Sequence, residues 1–232
     1  MAQDLGRIER PSIEQYRGKR KLLLLPLVYA PSNPAPEGLA LLQRYWEQLE
    51  FQVASLEARL GGLRHIYHES LAQGGQEGLK HLETVDQRSF RFVQAKFQAG
   101  ATLEATDDEG LLLENLDLQR CLMMPLASAS VARRLYEWFS ESNRSRYEHI
   151  ASRIDVTLQV NETGLLLISE RHQVQFPEDI EVFYVAPPAL EDFRRWLQDW
   201  LAEQQKRSAG GPELIEETRP SEARGEPSTS SG

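Results

Sequence analysis

Cysteine is almost missing from this chain of 232 residues: Cys121 stands alone. A single thiol excludes an intrachain disulfide and any zinc site built from several thiolates, and it fits a reducing, intracellular compartment. Long hydrophobic runs are missing too. The longest, near Leu22 and Leu111, fall far short of the roughly 20 residues that cross a bilayer. The polar N-terminal stretch lacks the apolar centre of a secretory signal. The expectation is a soluble, cytoplasmic protein with no membrane partner. Basic residues are in the minority, 26 Lys and Arg against 35 Asp and Glu, for a net charge of -9. Coating nucleic acid depends on neutralising phosphates with Lys and Arg, so the charge disfavours nucleic acid as a partner. No GxGxxG, Walker loop, HExxH, GxSxG or CxxC occurs, which removes the commonest nucleotide, zinc-protease, serine-hydrolase and thiol-redox signatures.

What is present is a hydrophobic share of 41%, enough for a core. Four short runs of aliphatic and aromatic residues read as buried strands, at residues 22 to 29, 63 to 69, 164 to 170 and 180 to 186. Pro26 within the first must mark a strand end, a bulge or an edge, because proline gives no ladder hydrogen bond. From residue 39 the period changes. Leu39, Leu42, Trp46, Leu49, Val53, Leu56, Leu60 and Leu63 recur at spacings of three and four, a heptad seam closed by Gly61 and Gly62. A second long helix is expected from Ser128 or Ser130 to about Leu158, carrying Val131, Leu135, Trp138, Ile150 and Ile154. The two long helices are natural partners in an antiparallel hairpin, and a homodimer through residues 39 to 63 is the other use of the seam. Shorter helices are expected after Gly74 and Gly75, over residues 87 to 98, through LLLENLDLQRCLMMPL up to Pro125, and from Ala189 to about Lys206.

These elements predict an α/β fold with a small sheet of about four strands, a long antiparallel helical hairpin and additional helices. The domain expectation is an N-terminal extension at residues 1 to 18, a single α/β domain at 19 to 207, and a disordered Pro/Gly/Ser/Glu tail at 208 to 232.

Three polar clusters stand out against this frame. His68 and Glu69 close the second strand. Glu104, Asp107 and Asp108 precede a helix. His172 and Asp179 lie in the polar connection between the last two strands, a stretch with more functional groups than strand geometry requires. His68, Glu69, His172 and Asp179 are therefore the catalytic candidates, and Glu104, Asp107 and Asp108 the candidate ligands of a divalent metal, the only cofactor these residue types suggest. Each has a structural alternative. Carboxylates before a helix favour its positive end and cap free N–H groups. A histidine after a strand is commonly tied to backbone, and the arginines of the second long helix, Arg133, Arg134, Arg144, Arg146 and Arg153, read as a solvated, salt-bridged face.

The runs IYHESL, GATLEATDDEGLL, LDLQRCLM and HQVQFPEDIEVFYVAPPALEDFRRWL are similar to an uncharacterised bacterial protein family, a resemblance that implies no activity and no catalytic residue. The strand LLISE, residues 166 to 170, resembles a strand in the C-terminal domain of archaeal and eukaryotic peptide chain release factors, which implies a ribosome-associated role. Two functional expectations follow. One is a binding or regulatory protein that presents the helical hairpin and the polar sheet edge to a macromolecular partner, most simply a protein. The other is a metal-dependent hydrolase or nuclease-like enzyme whose His and carboxylate groups converge.

Overall fold

The computed structural model describes residues 16–31 and 34–209. Most of the expected tail and of the expected N-terminal extension lie outside the described residues, and the last helix (Pro188–Ala209) runs two residues past the expected domain end. A compact unit ends at Phe193, and a second begins at Arg194, where its described residues are the outer length of one helix.

Among the described residues five strands, β1 (Arg20–Pro26), β2 (His65–His68), β3 (Thr102–Leu103), β4 (Thr163–Ile168) and β5 (Ile180–Tyr184), form one parallel sheet in the order β3-β2-β4-β1-β5. Every residue of β1 and β4 is buried. Both faces of a central parallel strand are covered, so their sequences are continuous aliphatic runs without polar alternation. Pro26 is the last residue of β1, where a missing donor costs least. The sheet has five strands where about four are expected. The extra one, β3, is a two-residue edge strand whose pairing, Thr102 opposite His65 and Leu103 opposite Ile66, leaves no aliphatic run in the sequence to announce it.

Six helices complete the fold among the described residues: α1 (Pro36–Leu60), α2 (Gly75–Val85), α3 (Gln87–Gln98), α4 (Glu109–Met123), α5 (Ala129–Thr157) and α6 (Pro188–Ala209). One sheet face, made by Leu22, Leu24, Tyr67, Leu166 and Ile168, packs on Ile150, Ile154 and Leu158 at the end of α5. Gly164 belongs to this face. A Cβ there would stand 3.1 Å from the Tyr67 ring and 3.2 Å from Leu158, so glycine is what admits the tyrosine. Side chains alternate along a strand, which directs Leu23, Leu25, Ile66, Leu165 and Leu167 to the other face. There α1 covers them. The Tyr45 hydroxyl donates to the Pro26 carbonyl, and Thr163 Oγ1 donates to the Leu60 carbonyl at 3.4 Å. Trp46 meets Phe92 of α3 at 5.8 Å between ring centroids.

The heptad helix and α5 therefore lie on opposite faces of the sheet, and the expected hairpin between them is not formed. The buried residues of α1 are Gly38, Leu42, Tyr45, Trp46, Leu49 and Val53. Tyr45 widens the seam into the broader stripe that suits a sheet, a distinction the spacing of leucines does not reveal. Of the seam, Leu42, Trp46, Leu49 and Val53 are buried within the chain, while Leu39 is exposed and Leu56 and Leu60 are partly so. The partner of α5 is α4, which runs antiparallel to it: Asp107 meets Arg146, Asn115 meets Asn143 and Glu114 meets Trp138.

The connections fix where a site can form. The β1-to-β2 connection leaves through α1 on one face, and the β4-to-β5 connection leaves on the other, where Val174 and Phe176 join the α5 cluster. Adjacent strands β1 and β4 thus send their chains to opposite faces. The gap beyond their carboxyl ends is the switch point at which open α/β sheets hold ligands.

Candidate functional site

A cavity of about 940 Å³ occupies that position. Its floor is made by residues that follow strands, Tyr29 after β1, Glu69 and Ser70 after β2, and Ser169 and Arg171 after β4. Leu112, Leu116 and Phe139 from the α4–α5 pair form an apolar wall. The volume falls in the range of small-molecule pockets, and the mixture of a few polar groups with apolar walls is what such pockets use for orientation and affinity.

Arg146 organises the floor. It sits on α5 with its side chain only 10% exposed, and its Nε and Nη2 donate to both oxygens of Asp107, the shortest contact being 2.5 Å. Nη2 also donates to the Glu69 carbonyl at 3.1 Å. Asp107 is in turn fixed by the chain after β2. Its own N–H and that of Thr106 both donate to the Leu71 carbonyl at 2.8 Å, and the Thr106 hydroxyl accepts from the His68 N–H at 3.1 Å. The pair is a buried, doubly hydrogen-bonded contact, the geometry that makes a guanidinium and carboxylate tolerable without water. Nη1 of the same guanidinium has no partner among the described residues.

Glu69, 9% exposed, accepts from the Ser169 hydroxyl at 3.1 Å. Burial pushes its carboxyl above the ordinary range, with Ser169 and Arg146 opposing and Asp107 adding to the rise. Tyr29 and Tyr147 are raised as well, first by burial of their hydroxyls and then by the nearby Glu69. Three acidic groups around one floor all favour their neutral forms. The floor is therefore rich in hydrogen-bond donors, and Glu69 is able to hold or release a proton beside a bound molecule.

The remaining sequence candidates lie elsewhere. His68 points away from the floor and is fully sealed, its Nδ1 accepting from the Ser70 N–H at 3.3 Å while Nε2 is buried without a partner among the described residues. Burial, aided by His81, pushes its pKa down to about 3. His172 packs on Phe176 and accepts from the Val174 N–H, and burial lowers its pKa. Asp179 precedes β5 and so stands at the opposite, amino-terminal end of the strands. There the Arg20 guanidinium binds both its oxygens at 2.7 Å and holds its carboxyl below the usual range. Glu104 receives His65 Nδ1 at 2.8 Å, and the other ring nitrogen of His65 meets Glu162 at 3.1 Å. Asp108 caps α4 by accepting from the Leu111 N–H at 2.9 Å. Among the described residues no three His, Cys, Asp or Glu side chains are grouped to hold a metal ion. The convergence of His68, Glu104 and His172 on which the metal-dependent reading rests is not found.

Of the seven candidates the structure brings Glu69 and Asp107 to one place. It adds Arg146, Ser169, Tyr29 and Tyr147, which sequence reasoning passes over. Ser169 had a signal, since it is the first residue after a fully apolar strand. Arg146 and Arg153 are the two arginines on α5 with no carboxylate three or four positions away, whereas Arg144 lies beside Glu141 and Glu148, and Arg133 beside Glu137. No family model matches the chain, and no curated protein and no solved structure matches it.

Proposed function

We propose that the protein binds a small molecule in the cleft beyond the carboxyl ends of β1 and β4, and that it is a binding or regulatory protein built around that cleft. The observation that carries this reading is the coincidence of a cavity of about 940 Å³ with the point where the connections of two adjacent parallel strands part to opposite faces. The test is a thermal-shift and saturation-transfer NMR screen of a chemically diverse fragment panel against the full chain and against Ala72→Trp, which places an indole inside the cleft. Fragments that bind the native chain and lose at least tenfold in affinity with A72W support the reading. A panel with no binder, or with binders indifferent to A72W, overturns it.

A second reading is a protein-docking role for the outer part of the α4–α5 pair. It is favoured by Met123, Met124, Tyr136 and Trp138, all exposed, with Met123 at 85%. Cross-linking of the native chain and a Met123→Asp/Trp138→Asp variant in cell extract tests it; a partner captured equally by both ends it.

A further inference from the structure

The reading of the cleft as a small-molecule site leaves its ligand unspecified, and the inference here rests on that reading. We propose that the cleft takes a monocarboxylate with an apolar body, its acid group accepting from Nη1 of Arg146 and its body lying on Leu113, Leu116 and Phe139.

Two independent features lead there. The first is the guanidinium. Arg146 is more than nine-tenths buried, lines the cavity, and spends Nε and Nη2 on Asp107 and the Glu69 carbonyl. Nη1 is left with two N–H groups and no partner among the described residues, at a position that is not sealed, since the buried unpartnered atoms are Trp46 Nε1, His68 Nε2, Asp86 Oδ2 and Ser142 Oγ. The N–H groups of Nη1 are therefore open to a bound molecule, and a carboxylate oxygen is the best acceptor for a guanidinium. The second is the wall. Leu113 and Leu116 are 58% and 42% exposed although both line the cavity, so apolar surface faces its interior uncovered. A ligand body would remove that surface from water.

Charge selects the class further. Asp107 already compensates Arg146, so the pair is neutral as a unit. Burial raises the Glu69 carboxyl, and in its protonated form Glu69 adds no charge beside the neutral Arg146–Asp107 pair, so that a single negative charge can be accepted. A phosphate monoester would bring nearly two charges close to Asp107 and Glu69, and like charges in a poorly solvated site repel strongly. Arg171, exposed on the cleft wall and without a partner among the described residues, adds attraction at longer range.

The same arrangement makes binding fall as pH rises. The groups facing Glu69 are Tyr29 beyond β1, Asp107 ahead of α4, and Arg146 and Tyr147 on α5, with His149 acting on Asp107 from α5 and His81 on the α2 wall. Ionising Glu69 adds a negative charge next to the carboxylate.

The experiment is calorimetric titration of the full chain with 2-naphthoate, 2-naphthylmethanol and 2-naphthyl phosphate between pH 5 and 8. The expected result is naphthoate binding at least tenfold tighter than either of the other two, lost in A72W, and weakening several-fold across the pH range. Glu69→Gln, which keeps a neutral donor in place, flattens that decline, and His81→Gln leaves it. Arg146→Lys removes the preference for naphthoate over the alcohol; should R146K fail to fold, the E69Q profile decides. Equal binding of naphthoate and naphthylmethanol, tighter binding of the phosphate, or a decline unchanged by E69Q overturns the proposal. If naphthoate fails while neutral fragments still bind in an A72W-sensitive way, the carboxylate class falls and the small-molecule reading stands; if nothing binds, both fall.

Discussion

Replacing His68 by Asn makes the acid limb of the stability curve shallower. His68 is sealed at the end of β2, and its folded pKa is pushed down to about 3 from an unfolded value near 6.5. The folded chain therefore keeps it neutral at pH values where the unfolded chain takes up a proton. The sign follows directly: the neutral ring costs nothing above pH 6.5, and stability is lost as pH falls below it. At pH 5 the unfolded state has gained about 2 kcal/mol from that proton, and the loss grows by about 1.4 kcal/mol for each further pH unit down to 3. Asn places an oxygen where Nδ1 accepts from the Ser70 N–H, so the local contact survives while the titration disappears. Other groups move with pH as well. His172 acts in the same direction and Glu69 in the opposite one, which is why the comparison is between native and H68N rather than on the native slope alone. Urea unfolding at pH 7.5 and 5.0 gives the number: the difference in unfolding free energy between the two proteins changes by about 2 kcal/mol in favour of H68N on going to pH 5. A difference unchanged between the two pH values would mean that the ring reaches water in the native state, and the sealed placement would be refuted.

Gly74→Ala is expected to lower stability by about 1–3 kcal/mol in thermal unfolding. A Cβ there would stand 2.6 Å from the Leu103 carbonyl oxygen and 2.9 Å from the Ala105 nitrogen, both backbone atoms, so α2 must withdraw from β3. Asp107→Asn strips a buried guanidinium of its counter-charge and is expected to cost about 3–5 kcal/mol in chemical unfolding, whereas Asp107→Leu combined with Arg146→Met costs less than the sum of the single changes.

The strands were legible in proportion to their burial. β1 and β4, covered on both faces, centre on leucine runs that a reader of the sequence finds to within three residues at either end; β3, with two residues paired at an edge, has no such run. Helix caps were readable for the same local reason. Ser128 accepts from the Val131 N–H at the start of α5, and the side-chain pair of Arg120 with Asp117 is local in the same way, one turn apart on α4. What failed was long-range. The seam of α1 records that one stripe is buried but not whether a helix or a sheet buries it. The connection after β4 looked like one site because its polar residues are neighbours in sequence. In a parallel sheet, however, such a connection runs from one end of the strands to the other, so Ser169 and Arg171 stay at the cleft while Asp179 arrives at the opposite end beside Arg20. Arg146 reached its place through Asp107, thirty-nine positions away, a pairing that no local pattern encodes.

The position of β1 bears on how the chain is made. Both of its neighbours come from the far end of the sequence: Lys21 lies opposite Thr163, and Arg20 opposite Ile180. A ribosome adding roughly 5–20 residues per second leaves RKLLLLP without its partners for several seconds or more. During that time both edges of the strand are bare, and the four leucines from Leu22 to Leu25 are uncovered, with Arg20, Lys21 and Pro26 at the ends as the residues that oppose pairing with other chains. Fragments ending before β4 should therefore precipitate when expressed, and those extending through Tyr184 should stay in solution. Occupying the middle of the sheet commits the earliest strand to the latest step of folding.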